Sequence, residues 1–415
     1  MRTKHQLRPY QQAGVEELLK KLEARHGALL ADEMGVGKTP TAIEVANRLS
    51  PKSVLIVCPA SLCCNWRHEL AVWSRLPFDA EVISYGKLVN GHQRSNEYGL
   101  IIFDESHFLK SPTAKRTKAS LELKADYRLF LTGTPIPNRP IEAYNVLKAL
   151  GLKLSYQEYG RRFCNGHLVR VPIRGGHGLR KAWDFTGASH LDELNASLRE
   201  SVMVRRTKEE VLKELPKKVR QIIAMDFASG ESEAFRRRFS SLSLAADILD
   251  EVARVPFAEI AEERHNVALH KLPYVLKFID DLLESGAEKL AVFAHHRDIV
   301  EAVAGAGPDR VFLYGGMSAK QKDEAVRSFQ DGDAKVFVGN ILAAGVGLTL
   351  TAANVCVMAE EIWTPGDLIQ AEDRLHRLGQ KKVVLIYHIV ADGSLDARIV
   401  KALIQKQQVI EEVMK

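Results

Sequence analysis

Ala28-Leu-Leu-Ala-Asp-Glu-Met-Gly-Val-Gly-Lys-Thr39 is the stretch that decides the fold. A short apolar run, Ala28–Ala31, passes through a glycine-punctuated turn into the helical pattern Thr39–Leu49. A strand feeding a helix in this way is the context of a phosphate-binding loop. Gly35 and Gly37 let the backbone turn and aim N–H groups at phosphate oxygens. Asp32, Gly35, Val36, Gly37, Lys38 and Thr39 are therefore expected to hold ATP. Lys38 would reach the β/γ-phosphates and the Thr39 hydroxyl would bind Mg²⁺. The strict pattern has Gly at position 32, where this chain has Asp. The competing reading is an ordinary Gly-rich turn between a strand and a helix.

Outward from this loop, short apolar runs alternate with helical patterns, which predicts a parallel α/β sheet. The first series is Ala28–Ala31, Val54–Cys58, Glu81–Ser84, Leu100–Phe103 and Arg128–Leu131, with helices at Cys63–Ser74 and Thr113–Leu123. A second series runs Leu290–Ala294, Val311–Tyr314, Val336–Val338, Asn354–Met358 and Val383–Ile389. Its helices are expected at Arg297–Ala304, Ala319–Phe329 and Gly366–Leu378. The region 140–285 reads as mostly helical, with one strand at Gln221–Met225 and loops or a small hairpin within Arg161–Ala188.

The 415 residues are 46% hydrophobic and 27% charged, which excludes a disordered or fibrous chain. Residues 1–220 carry 36 basic and 23 acidic side chains, and residues 221–415 carry 22 and 29. A basic half beside an acidic half points to a polyanionic partner for the first. Five cysteines form no CxxC pair, so no zinc module or disulfide framework is expected and a reducing compartment fits. From Val336 to Ala359 there is no charge for 24 residues, but glycines, threonines and asparagines interrupt the run. Two buried strands joined by a loop explain it better than a membrane span.

Leu100-Ile-Ile-Phe-Asp-Glu-Ser-His107 ends an apolar strand in two acids, at the edge where parallel sheets face ligands. Asp104 would hold Mg²⁺, Glu105 would orient and deprotonate the attacking water, and His107 would link this site onward. A plain Asp-Glu helix cap is the alternative. In Leu131-Thr-Gly-Thr-Pro135, Thr132 and Thr134 are small polar groups suited to coupling the ATP site to a moving lobe. Gln370, Arg374 and Arg377 fall at i, i+4 and i+7 of the predicted helix and would share one face. Two planar, permanently charged guanidiniums suit a γ-phosphate, although a solvated basic face has the same pattern.

Taken in order, GKT, DESH, LTGTP, GVGL and QAEDRLHRLGQ resemble the motifs of superfamily-two helicase-related ATPases, and among them the SWI/SNF-type double-stranded DNA translocases. Leu7-Arg-Pro-Tyr-Gln11, Val204-Arg-Arg-Thr-Lys208 and Trp363-Thr-Pro-Gly366 match that family's further segments. Asp104-Glu-Ser-His-Phe-Leu-Lys110, Phe293-Ala-His-His296 and Ala343–Thr349 look most like the SMARCAL-type annealing helicases. Asn340 departs from the Ser or Thr usual there, which puts a phosphate contact at that position in doubt.

The resemblance implies two RecA-like parallel-sheet lobes with a mostly helical insertion around the junction. The expected divisions are a first lobe at 1–150, a helical protrusion and linker at 151–270, and a second lobe at 271–415. It implies that Gln11 reads adenine, that Gly347 and Gln370 join the nucleotide site, and that Arg374 and Arg377 arrive when the lobes close. DNA, double-stranded or forked, would contact Ser84, Tyr85, Lys87, Lys110, Lys115, Lys118 and Thr349, while Trp66 reads as core. His295 and His296 lack further zinc ligands, so packing or a lobe-interface role is expected. The implied activity is DNA-stimulated ATP hydrolysis, using ATP and Mg²⁺, with movement on DNA that rewinds strands or displaces proteins. A strand-separating DNA or RNA helicase and a non-catalytic DNA clamp are the rivals. An unidentified recruiting protein, no membrane, no zinc and a bacterial or phage cytoplasm, or else a nucleus, complete the expectations. The chain would be nearly a bare motor.

Overall fold

The computed structural model describes residues 6–75, 79–91, 97–136, 139–172, 179–225, 257–341, 348–361, 365–391, 394, 396–397 and 400. Its strands are β1 (Gly27–Leu30), β2 (Ser53–Cys58), β3 (Asp79–Ser84), β4 (Glu97–Phe103), β5 (Lys124–Leu131), β6 (His167–Pro172) and β7 (Leu179–Asp184). They continue with β8 (Met203–Val204), β9 (Lys218–Met225), β10 (Leu290–Ala294), β11 (Arg310–Leu313), β12 (Val336–Asn340), β13 (Val355–Met358) and β14 (Val384–Ala391). One six-stranded sheet has the order β3-β2-β4-β5-β1-β8, and a second has β11-β12-β10-β13-β14-β9. Every pairing in both sheets is parallel, as the alternating pattern predicts. The chain divides into two compact units between Val211 and Leu212.

The strands read as continuous apolar runs because both faces are covered. Along β10, Ala291 and Phe293 join one core cluster, with Phe329, Leu368 and Ala371. Leu290, Val292 and Ala294 join the other, with Val275, Ile279, Ile299 and Val303 from helices Phe257–Glu284 and Arg297–Gly305. Period-two alternation thus feeds two cores at once, each buried Leu, Val or Phe contributing about 1.5–3 kcal/mol. The charge-free run from Val336 becomes β12 and β13, and no helix among the described residues is long and apolar enough to cross a membrane.

The middle of the chain is shared out between the units. The Arg161–Ala188 stretch contains the antiparallel hairpin β6–β7. β8 extends the first sheet beside β1, and β9 lies at the edge of the second, registered along β14 from Lys218↔Val384 to Met225↔Ala391. The charged, helically patterned stretch Glu231–Glu263 lies mostly outside the described residues, as does most of Leu395–Met414, whose pattern also predicts a helix.

Candidate functional site

The order β4-β5-β1-β8 sets four loops side by side at the carboxyl edge of the first sheet, where open parallel sheets bind ligands. The loop after β1 carries the phosphate-binding pattern. Gly35 and Gly37 have φ of 80° and 96°, left-handed values that favour glycine. A Cβ at Gly37 would also collide with the Gln11 side chain. Lys38 and Thr39 open helix Lys38–Leu49, both half-buried. Lys38 Nζ donates back to the carbonyls of Asp32 at 2.9 Å and Glu33 at 3.2 Å. A cation folded onto its own loop is placed for exchange of those carbonyls against phosphate oxygens.

Helix Pro9–Arg25 leans its first turn on this loop. Gln11 Oε1 accepts from Arg8 N at 2.8 Å, and its Nε2 donates to Val36 O at 3.3 Å and Gly37 O at 3.4 Å. Tyr10 Oη donates to Val36 O at 2.9 Å. Val36 was expected at the nucleotide, but its side chain is fully buried and its carbonyl is occupied by Tyr10 and Gln11. Its side chain and carbonyl therefore serve the loop's own packing, which leaves its backbone N–H as the group that could meet a phosphate.

Asp32 also differs from expectation. Its buried carboxylate faces Arg206: Oδ1 accepts from Arg206 N at 2.9 Å and Nε at 3.0 Å, and Oδ2 from Nη2. Arg206 Nη1 donates to Tyr10 O, and its guanidinium lies over the Tyr10 ring, 5.6 Å from the centroid. Gly14 leaves the room, since a Cβ there would enter the guanidinium. A planar fork meeting a carboxylate at two points fixes orientation as well as charge. The acid that breaks the strict glycine pattern is an internal tie between the phosphate loop, the first helix and the segment after β8. Beside it, Arg205 Nη1 donates to Ala31 O at 2.8 Å and Lys208 N to Glu33 Oε2 at 2.8 Å. Sequence reasoning assigned Arg206 no role; the signal was a buried acid at position 32 that needed a cation.

The loop after β4 brings the carboxylates. Asp104 and Glu105 are both buried. Asp104 takes neutral donors: Trp66 Nε1 at 2.7 Å on Oδ2 and Glu105 N at 2.9 Å on Oδ1. Burial, then the neighbouring Glu105 charge, push the Asp104 carboxyl up to about 6. Such a carboxylate is stabilised by an incoming cation. Among the described residues no cluster of three or more metal-ligating side chains forms. A Mg²⁺ held by one hydroxyl, one carboxylate and phosphate oxygens needs none, so Thr39 and Asp104 fit it. Glu105 sits in the left-handed region at φ 50°, a conformation disfavoured for a residue with a Cβ and frequent at functional sites.

Glu105, His107, Thr132 and Thr134 form a chain. His107 Nδ1 is 3.3 Å from both Glu105 Oε2 and Thr132 Oγ1, and Thr132 Oγ1 accepts from Thr134 N at 3.1 Å. A Cβ on Gly133 would lie 3.2 Å from Lys38 Nζ, so the loop after β5 lies against the phosphate loop.

The residues expected at DNA divide. Lys87, Lys110, Lys115 and Lys118 are exposed, and helices Tyr85–Val89 and Lys115–Glu122 pack together. Ser84 Oγ instead caps helix Tyr85–Val89, accepting from Lys87 N at 3.1 Å. The Tyr85 side chain is buried, stacks on Phe108 at 5.8 Å and donates to Asp104 O at 2.9 Å, so it is a support of the acid strand. Trp66 is core, as expected, with its indole N–H on Asp104 as an added function.

In the second unit the arginine segment is not one helix. Helix Pro365–Glu372 stops at Glu372, and Arg374 and Arg377 lie on the turns that follow. The i, i+4, i+7 argument for a shared helical face therefore fails. The arginines nevertheless converge, Arg374 Nη1 donating to Leu348 O at 3.3 Å and Arg377 Nη1 at 3.0 Å. Tertiary ties end the helix: Gln380 Nε2 donates to Ala353 O at 2.8 Å, and His376 Nε2 is 2.7 Å from Pro216 O. Gln370 is buried and Thr349 half-buried, while Gly347 lies outside the described residues.

At the end of β10, Glu360 Oε2 accepts from the backbone N–H groups of His295 and His296, each at 2.8 Å, and Oε1 lies 2.5 Å from His296 Nδ1. Both histidines are thereby structural anchors. Asn340 donates its amide to His295 O, an occupation consistent with the doubt about a phosphate contact there.

The SNF2-related domain matches residues 10–92 and 78–265, and the helicase conserved C-terminal domain matches 271–379. The DNA annealing helicase and endonuclease ZRANB3 of Mus musculus is 35% identical over 447 residues, covering 99% of this chain and 40% of the mouse protein. The SWI/SNF-related matrix-associated actin-dependent regulator of chromatin subfamily A-like protein 1 of Xenopus laevis is 34% identical, covering 94% and 42%. A solved Sulfolobus solfataricus SWI2/SNF2 ATPase core in complex with double-stranded DNA covers 100% of this chain and 94% of its own at 24% identity and a TM-score of 0.45. The chain spans about 40% of the length of the ZRANB3 relatives it matches.

Proposed function

The chain belongs to the SNF2-related family, and from that premise we propose an ATP-hydrolysing motor that moves on double-stranded or forked DNA. The observation that carries this reading is the convergence of the Lys38 loop, the Asp104–Glu105 pair and the His107–Thr132–Thr134 chain on one sheet edge. Thr39 and Asp104 hold Mg²⁺, which when bound supplies positive charge to the phosphate oxygens. Lys38 grips the phosphates, and Glu105 orients the attacking water and accepts its proton. Arg374 and Arg377 stabilise the charge that develops on the transferred group. Positioning and electrostatics carry the catalysis, as phosphoryl transfer requires.

His107, held between Glu105 and Thr132, relays the state of the site to the loop after β5. Lys87, Lys110, Lys115 and Lys118 track the DNA backbone without reading bases. Strand rewinding is the output most in keeping with relatives named annealing helicases. The test is phosphate release with no nucleic acid, single-stranded DNA, duplex DNA, forked DNA and RNA. Duplex or forked DNA should stimulate most; one rate across all five conditions overturns the motor reading.

A further inference from the structure

Two sulfurs stand together at the end of the strand beside the acid strand, and nothing in the proposed hydrolysis uses them. Cys58 ends β2 and is fully buried. Cys63 begins helix Cys63–Trp73 and is half-buried. Their Sγ atoms are 3.6 Å apart, with Cys58 Sγ also 3.7 Å from Ile83 O and Cys63 Sγ 3.8 Å from Pro59 O.

Closing a disulfide from this separation requires about 1.5 Å of approach, within reach of side-chain rotation and a small helix shift. Several features favour the thiolate at Cys63. It lies in the first turn of helix Cys63–Trp73, just after the short turn Ala60–Leu62, with Arg67 one turn further on. The neighbouring Cys58 thiol and the Arg67 charge lower Cys63 to about 7, while the contact with Cys63 and then burial push Cys58 up.

We propose that Cys58 and Cys63 are a reversible disulfide switch, closed by hydrogen peroxide, that disarms the nucleotide site through Trp66. Cys63 thiolate attacks one peroxide oxygen; the O–O bond breaks and the departing oxygen leaves as hydroxide, protonated to water. Cys63 is then a sulfenic acid. Cys58 attacks that sulfur, the S–O bond breaks, and hydroxide leaves with the Cys58 proton as a second water. Two electrons pass from the thiol pair to the peroxide, and a dithiol restores the starting state by exchange.

The consequence follows from spacing. Trp66 lies three residues after Cys63, on the same helix, and holds Asp104 Oδ2 at 2.7 Å. Asp104 N in turn donates to Val57 O at 2.8 Å, next to Cys58. Drawing Cys63 toward Cys58 therefore moves the indole that orients the Mg²⁺ carboxylate. A shift of about 1 Å at a reacting group costs on the order of 10²-fold, and transmitted through one side chain we expect at least a tenfold loss, roughly.

The pair itself does not depend on the ATPase reading; only its effect on turnover rests on it. The experiment treats the reduced full chain with hydrogen peroxide and maps peptides without reductant. A Cys58–Cys63 link is expected, with turnover down about tenfold or more and restored by dithiothreitol. Cys58→Ser and Cys63→Ser should keep reduced-state turnover and resist peroxide, whereas Cys64→Ser should remain sensitive. The tryptophan emission change on oxidation should vanish in Trp66→Phe, a readout that needs no hydrolysis. A link through Cys64, the absence of any Cys58–Cys63 link, or a complete link with unchanged Trp66 emission overturns the proposal. A chain that forms the link and shifts Trp66 but never hydrolyses ATP breaks the motor reading alone.

Discussion

Both units bury carboxylates, and they treat them in opposite ways. In the first, Asp104 and Glu105 lie side by side, and Asp104 receives an indole and a backbone N–H, neither of them charged. In the second, Glu372 is fully buried between Lys218 Nζ at 2.7 Å and Arg220 at 2.6 and 2.7 Å. Burial alone would raise it, but those two cations hold it well below the usual carboxylate range. Nearby, His388 Nδ1 is 3.0 Å from Glu361, and the Arg264 guanidinium donates to Glu361 O. A buried carboxylate meets uncharged donors in one place and lies in a closed ion cluster in the other. Neighbouring charge, not burial, separates the two.

The comparison breaks first at Glu105. Glu105→Gln keeps the shape and should lower hydrolysis by up to about 10⁴-fold with nucleotide binding intact. Near-normal turnover would make the first pair structural as well. Arg377→Ala comes next, at on the order of 10³-fold, and Arg377→Lys should recover little because a point charge lacks the planar fork. Normal hydrolysis with lost DNA affinity would assign that turn to DNA instead.

Glu372→Gln should behave differently from Glu105→Gln. It removes the negative charge that Lys218 and Arg220 share and should destabilise the second unit by about 3 kcal/mol, read as a lower urea midpoint. Unchanged stability would show that the cluster is solvated. The smallest effect is a pH dependence. Asp104 is raised in the fold from 3.8 to about 6, so its contribution is fully present below 3.8 and lost as pH rises through about 6. Without Mg²⁺, the wild-type stability relative to Asp104→Asn should fall by about 2 kcal/mol over that interval. A difference that stays constant with pH would remove the distinction drawn between the two sites.

The phosphate loop and the acid strand were legible because each is a single uninterrupted stretch. Gly35, Gly37, Lys38, Asp104 and Glu105 sit at the ends of apolar strands, and strand-to-loop order is local information. Asp32 was legible only as an anomaly, since its partner Arg206 is 174 residues away. Tyr85 was misplaced for a related reason. A Ser-Tyr-Gly-Lys turn after a strand looks solvent-facing, and only the packing of Phe108 and Asp104 turns the ring inward.

The amino-acid sequence by itself determined the two parallel sheets, the phosphate loop and the acids at the strand ends. Those depend on period, apolar run length and glycine placement, all of which act within a few residues. Tertiary structure alone decided that Asp32 serves Arg206, that Val36 is core, that helix Pro365–Glu372 stops short of both arginines, and that Glu372 is neutralised while Asp104 is not. Each of those outcomes is set by a partner brought from another strand or helix, and the charge and packing such a partner supplies exist only once the sheets have formed.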